Sequence, residues 1–367
     1  MKRAPWTILF FCFTCILMAQ DKPQQQADSI VKYQLKSGGW AKNQDWLKGV
    51  DAKEAKIWRR MGVGSTIDNG ATTNELKILA KAVDKTFEVE SSGYGWMDKK
   101  VLEAQREGYR TSFYRGLNYL LEMQYANGGF PQFYPAKAKD DYSSQITFND
   151  NAMVNVLKLL RDVAAGTKQY EHMNVSKGIR KKCQEAYEKG LKCILDCQIR
   201  VDEAGKVLEY GTEAWRQGQK TVWCQQHDKK TLAPVKARAY ELPSYSGNGE
   251  TCAILDLLMD VQSPSAEVKE AVKCGIEWLE VHAMKDVEVE RFINEEGQKD
   301  IRMVEKKGTP LLWARFYDLE KAEPMYCDRD GVPKKVLSDI GYERRNGYQW
   351  VGDTPQRVIE RYKQLNY

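Results

Sequence analysis

Histidine is nearly absent from this 367-residue sequence. His172, His227 and His282 are the only three, and they stand apart from one another. The paired Cys/His spacing of a zinc site is therefore missing, which excludes zinc. No H-E-x-x-H and no G-x-S-x-G occurs, so the zincin and serine-hydrolase signatures are missing too. The glycine-rich stretch "MGVGSTIDNG" at 61–70 lacks the lysine of a phosphate-binding loop. Charge of one sign is also in short supply. The formal net charge is +5, and Lys2 and Arg3 account for two of those charges. The remainder is too weak to indicate nucleic acid, although it permits a local basic groove for an anionic substrate. Beyond the N-terminus no apolar run is long enough to span a bilayer.

What is present is a globular composition, with 42% hydrophobic and 11% aromatic residues. Ten Trp and nineteen Tyr could furnish a carbohydrate cleft, although aromatics more often serve a core. Lys2 and Arg3 precede an apolar run from Trp6 to Met18, and Ala19-Gln20-Asp21 begins the polar chain. That pattern predicts a signal peptide over 1–20, with cleavage near Ala19–Asp21 and a secreted or periplasmic product. Residues 21–367 are expected to form one domain. Seven cysteines follow the predicted cut, an odd number that leaves at least one thiol unpaired within the chain. Cys193 and Cys197, four apart in a helical pattern, face one side and suit core packing.

The helices repeat. "GLNYLLEMQYANGGFPQ" begins at Gly116, "GLKCILDCQIR" at Gly190 and "GIEWLEVHAMKD" at Gly275. "IVKYQLKSGGWAKN" at 30–43 matches the end of the first of these, and "TVWCQQ" at 221–226 fills the same place in the next. A second helix follows each loop, starting from "IDNGATTNELKILAKAV" at 67, "FNDNAMVNVLKLLRDVA" at 148 and "SGNGETCAILDLLMDV" at 246. Repeated helical hairpins predict a mainly α chain, an α/α toroid of three to four hairpins. Strands are expected only near 221–224 and 311–317. The charged segment 285–308 reads as an irregular surface excursion, and 88–100 as another.

The polar triplets that open the second helices suit helix capping. They also fall on one rim of such an assembly, together with Lys42, Asp68, Asn69, Asp150, Asn151, His227, Lys236, Arg238, Glu241, Arg315, Asp318, Arg329 and Asp330. Asp and Asn oxygens suit calcium, and arginines suit bidentate capture of carboxylates. Ca2+ beside Arg fits a polyanion bearing carboxylates, such as a polyuronate. "MYCDRDGVPK" at 325–334 sets Arg329 between two aspartates, which fits a solvated turn, a calcium loop or chemistry. An EF-hand is excluded. With Asp330-Gly331 at loop positions 5 and 6, positions 1 and 12 would be Tyr326 and Leu337, and neither is a carboxylate.

"GGWAKN", "TIDNGATTNEL", "QYANGGFPQFYP", "TFNDNAM", "VWCQQHD", "KARAYELPSYSG", "RFYDLE" and "CDRDG" occur in this order along the chain. Together, over residues 29–367, they resemble the family ten pectate lyases. The resemblance implies an incomplete α/α toroid that cleaves polygalacturonate by Ca2+-dependent β-elimination. It implies Arg329 as the base, with Cys327 in place of the family's serine. It implies Arg238 and Arg315 as binders of substrate carboxylates, and Asp150 as a calcium ligand. Asp68 and Asn69 match a pair close to metal and substrate, and which of them touches the ion stays open. Lys42 and Glu241, on the same rim, complete the expected substrate-binding set. A monomer acting on pectate chains is expected.

Arginine is an awkward base, being protonated throughout the accessible pH range. Neighbouring cations would lower its pKa, and Asp328 and Asp330 would raise it, so the net sign is open from sequence. Two other readings remain. An α/α-barrel glycoside hydrolase would use two carboxylates, with Asp150 and Glu241 as candidates. A noncatalytic pectin-binding protein would keep the arginines and the metal and lack the base.

Overall fold

Apolar residues at helical spacing form two layers of helices. The computed structural model describes residues 22–365 apart from 52, 54–55, 58–63, 92–97 and 139–140. The expected signal peptide lies outside the described residues. The longer helices are α1 (Lys22–Tyr33), α2 (Thr73–Ser91), α3 (Lys99–Glu122), α4 (Ala152–Ala165), α5 (Lys177–Cys197), α6 (Gly249–Met259), α7 (Ala266–Val281) and α8 (Thr354–Gln364). Helices α2, α4, α6 and α8 touch in succession and form an inner arc. Helices α1, α3, α5 and α7 do the same outside them. The inner α4 and α6 are buried almost all round, as their apolar sequences require, whereas α5 buries one stripe. The architecture is an incomplete α/α toroid that does not close into a barrel.

One set of contacts recurs in each unit and explains the sequence repeat. A Cβ on Gly116 would overlap Leu76 of α2, one on Gly190 would overlap Leu157 of α4, and one on Gly275 would press on Leu255 of α6. Those leucines hold the same place in the three inner helices, so each glycine marks a close outer–inner contact. Gln34, Gln124 and Gln198 each donate from one amide nitrogen to the next outer helix, at Ser112 O (2.8 Å), Ala186 O (2.8 Å) and Ala271 O (2.9 Å). The same nitrogens also donate to the following loop, at Gly38 O, Gly128 O and Thr221 O. Trp40, Trp223 and Trp313 donate their indole N–H back to Ile30, Ile194 and Leu279 near the ends of α1, α5 and α7. Gly38 and Gly128, with φ of 102° and 89°, lie against the carbonyls of Arg115 and Lys189, where any side chain would clash.

One sequence expectation changes. Segment 285–308 is not irregular: β1 (Val287–Ile293) and β2 (Lys299–Glu305) form an antiparallel hairpin, paired from Val287–Glu305 to Ile293–Lys299. The alternating V-E-V-E-R-F-I carries the period of two that makes it a strand. Of the expected excursion over 88–100, residues 88–91 end α2 and 99–100 begin α3, and its centre, 92–97, lies outside the described residues. Two-residue ladders at Gln219–Lys220, Trp313–Ala314 and Phe316–Tyr317 lie at or beside the expected strands. All seven cysteines after residue 20 are free, and Cys193 and Cys197 are buried in the main core.

The outer-to-inner connections 34–72, 123–151, 198–248 and 282–353 are long, and the inner-to-outer turns are short. The third and fourth loops form a second small core of Tyr240, Phe316, Met325, Tyr326, Cys327, Leu337, Ile340 and Trp350. The long loops carry the rim residues.

Candidate active site

The first and second loops enter their inner helices in the same way. Asn69 (φ 52°, ψ 29°) and Asp150 (φ 51°, ψ 30°) occupy equivalent positions in the left-handed region, which Asn and Asp tolerate best among side-chain-bearing residues. Neither Asn151 at the start of α4 nor Asn248 at the start of α6 caps its helix with a side chain. Capping therefore does not account for the polar triplets.

Asp68 is 2% exposed. Its Oδ2 pairs with Lys42, and its Oδ1 is buried without a hydrogen-bond partner among the described residues. Asn69 is exposed and donates to Asn43 Oδ1 at 3.0 Å. Asp150 is half-exposed, takes the Asn149 amide on Oδ2 at 2.8 Å and holds Oδ1 4.0 Å from Arg315. Burial raises the Asp150 carboxyl pKa. Arg315 and Arg238 oppose that rise, and the Asp68 and Glu250 charges add to it. A buried oxygen without a partner beside a carboxylate crowded by like charge is an arrangement that a cation relieves. Asp68 and Asp150 fit calcium, a hard ion that takes six to eight oxygens. Among the described residues no three His, Cys, Asp or Glu side chains gather as a cage. The remaining ligands would come from Asn69 or backbone oxygens, water and the carboxylates of a bound chain.

Three arginines stand on the third and fourth of these loops, each on a protein carboxylate. Arg315 reaches Glu250 Oε1 at 2.6 Å and Asn149 Oδ1 at 3.2 Å. Glu250 is fully buried. Burial alone would raise its pKa, but Arg315 with the Gln225 amide and Ser246 hydroxyl holds it below the usual range. Arg238 forks onto Glu241 through Nε (2.7 Å) and Nη2. Tyr348 Oη donates to Glu241 at 3.0 Å. Burial alone would lower the Arg238 pKa, and Glu241 more than reverses this. Arg329 is 65% exposed and forks onto Glu343 at 3.0 and 3.1 Å, which raises its pKa.

The aspartates beside Arg329 serve the loop instead of its guanidinium. Asp328 accepts the N–H groups of Arg329 (2.6 Å) and Gly341, and Asp330 accepts that of Val332 (2.9 Å). Glu343, fourteen residues further on, holds the side chain, and nothing local in the sequence signals it.

Arg238 and Arg329 sit on matching loops of successive hairpins. In "HDKKTLAP" (227–234) and "YDLEKAEP" (317–324), Asp228 and Asp318 each accept N–H groups two and three residues on. Leu232 (φ 57°) and Ala322 (φ 55°) are left-handed at the same place, and the prolines bridge back to His227 and Tyr317. That internal match is a signal the sequence reading missed. Both arginines then lie over the Tyr240 ring, at 5.0 and 5.9 Å. Tyr348 packs 4.5 Å from Arg315 and links that arginine to Glu241. His227 is structural: it is buried between Leu232 O and Cys224 N–H, and burial pushes its pKa down to about 4.

The arrangement is an open rim with two metal-suited carboxylates and three arginines built for anionic oxygens. None of the curated protein sequences matches the chain. Among solved structures, it is similar to the family 10 polysaccharide lyase from Cellvibrio cellulosa, with 30% identity, a TM-score of 0.71 and coverage of 94% of this chain and 92% of that one. A mutant of that enzyme in complex with trigalacturonic acid matches with 30% identity, a TM-score of 0.72 and coverage of 94% and 93%. The family described as pectic acid lyase matches residues 34–359. By fold and sequence, then, the chain belongs to the pectic acid lyase family and is a polysaccharide lyase.

Proposed function

We propose that the enzyme is an exported, calcium-dependent pectate lyase that cleaves the α-1,4 bonds of polygalacturonate by β-elimination. The observation that carries this reading is the meeting of Asp68, with its unpartnered buried oxygen, and Asp150 with Arg315 and Arg238. The similar enzyme complexed with trigalacturonic acid supports the choice of polymer. Export follows from the basic and apolar N-terminal pattern, and it would put the enzyme where calcium is plentiful enough for a weak site.

In this reading Arg315 and Arg329 bind uronate carboxylates. The C5 proton beside the held carboxylate leaves, its electron pair forms the C4=C5 double bond, and the C4–O4 bond of the same ring breaks, so that the oxygen departs with the neighbouring sugar and takes a proton from water. Calcium held by Asp68 and Asp150 would add electrostatic stabilisation of the charge that grows on that carboxylate. The proton acceptor must lie beside the carboxylate that the metal-suited residues hold. Arg238 meets that condition better than Arg329, the base that the resemblance implied. The Arg238 charge acts on Asp150, and Tyr142 lies in the fields of both Arg238 and Asp68. Arg329 faces solvent on Glu343. We therefore assign the proton to Arg238 and a neighbouring carboxylate to Arg329. Glu241 holds Arg238 protonated, so the fork must open before Arg238 can accept a proton; bound calcium would then favour the neutral guanidine, and rate rises with pH.

Against a hydrolase stands Glu241: Arg238 and Tyr348 occupy its oxygens, so it is not placed to protonate a leaving group. The test is ultraviolet absorbance on polygalacturonate with and without a chelator. Elimination creates an absorbing unsaturated end. Growth of absorbance with calcium, lost in chelator and restored on adding the ion back, is expected. Reducing ends without absorbance would instead make the protein a hydrolase, and neither signal would make it a binder.

A further inference from the structure

The hairpin of β1 and β2 is not needed to build the toroid, yet it is clamped to the segment that carries Tyr348. Asp300 of β2 is 4% exposed. It takes Arg345 Nε at 2.8 Å and Nη2 at 2.6 Å, and the Asn346 amide at 2.8 Å. Tyr342 Oη donates to Lys299 O at 3.1 Å. Ile301 and Met303 pack on the small aromatic core under the site loops. The hairpin is therefore held in a set position relative to Arg238, Arg315 and Arg329.

Between the hairpin and residues 346–351 lies a pocket lined by Val289, Arg291, Ile301, Tyr348, Gln349 and Trp350. Gln349 also lines the pocket of Asp150, Asn248, Glu250 and Arg315. The two spaces share a wall, so a chain lying over Asp150 and Arg315 continues past Gln349 into the hairpin pocket. Arg291 is exposed, and its side chain makes no ion pair or hydrogen bond among the described residues. It differs in this from the three site arginines, each of which is already on a carboxylate. An unoccupied guanidinium beside an apolar wall and an amide matches a uronic acid ring, which carries one carboxylate and one apolar face.

The geometry points to a further binding subsite in this pocket for a hexuronate residue of the same polyanion, with its carboxylate on Arg291. This inference rests on the lyase reading above. It makes the hairpin an arm that lengthens the cleft and favours long chains over short ones.

The test compares wild type, Arg291→Ala, Arg291→Glu and Arg291→Lys on trigalacturonate and on hexagalacturonate or polymer, by ultraviolet absorbance. For Arg291→Ala the ratio of kcat/KM on the long substrate to that on the trimer should fall about tenfold, with the loss in KM. Arg291→Glu should lower the ratio further, and Arg291→Lys should restore part of it. A ratio within twofold of wild type for both Arg291→Ala and Arg291→Glu, or a loss in kcat alike at every chain length, overturns the subsite. Wild-type protein that produces no unsaturated ends at all overturns the lyase reading itself, which separates the two failures. Arg291 is an exposed strand residue, so these variants keep the fold.

Discussion

Arg238, Arg315 and Arg329 look alike in sequence and differ in what their removal leaves behind. Arg315 neutralises Glu250 in the interior, so Arg315→Ala strands a buried carboxylate and should cost about 3–5 kcal/mol of stability. Arg329 pairs with an exposed glutamate, and Arg329→Ala should leave the melting temperature near that of wild type. Their kinetics should divide differently. Arg238→Lys keeps the charge but loses the planar fork, and a nitrogen misplaced by about 1 Å can cost on the order of 100-fold in rate. We expect Arg238→Lys and Arg238→Ala to lose at least about 100-fold in kcat while still binding trigalacturonate in calorimetry. Arg329→Ala should lose mainly in KM. If instead Arg329→Ala loses kcat and Arg238→Ala loses only affinity, the base is Arg329.

At the scale of elements, glycine in the outer helices acts through packing, and two glycines of α5 allow this to be tested within one helix. Gly178 has open space around its missing Cβ, and Gly190 lies on the Leu157 side chain. Gly178→Ala should therefore stabilise by a few tenths to about 1 kcal/mol, the ordinary gain in helix propensity. Gly190→Ala must push α5 from α4 and should destabilise by about 1–3 kcal/mol. Denaturant midpoints for the two variants check this. Opposite signs confirm that the glycine repeat encodes interlayer distance, and equal gains would refute it. The same elements show what was legible. Gly116, Gly190 and Gly275 announced the hairpins because a close helix contact needs a small residue at a repeating place. The hairpin at 287–305 is hard to see in the sequence because its alternation, Val-Glu-Val-Glu, is rich in charge, which is the mark of a loop.

At the scale of the whole molecule, the rim stores unfavourable charge until something binds there. The folded-state pKa of Asp150 is raised, so the native state holds its proton to higher pH than the unfolded chain does. Stability then falls as pH rises from the unfolded value, about 3.9, through the folded one, and at neutral pH the full cost is present. Asp150→Asn removes that cost. Without calcium, its Tm at pH 7 should equal or exceed that of wild type. Calcium should raise the wild-type Tm by linkage and raise that of the variant by less than half as much. Thermal melts with and without the ion measure both. A wild-type Tm that calcium does not move would remove Asp150 from the metal site.

Local chemistry determined much of this protein. The 3.6-residue apolar period and the repeated glycines dictate stacked helical hairpins, because period and residue size are properties of each segment alone. The order of eight short motifs pointed to the family, and the polar triplets marked the rim. What only the tertiary structure decided is which groups meet. Glu343 holds Arg329 from fourteen residues away, and Glu250 holds Arg315 from sixty-five. Tyr348 joins the two halves of the arginine set, and the charge of Arg238 acts on Asp150 while Arg329 pairs with the exposed Glu343. Two adjacent hairpins reach their arginines through the matching loops 227–234 and 317–324, so local sequence alone does not tell the roles of Arg238 and Arg329 apart. Their distances from Asp68 and Asp150 depend on the curvature of the arc, which arises from contacts summed over every layer and is written in no single stretch of chain.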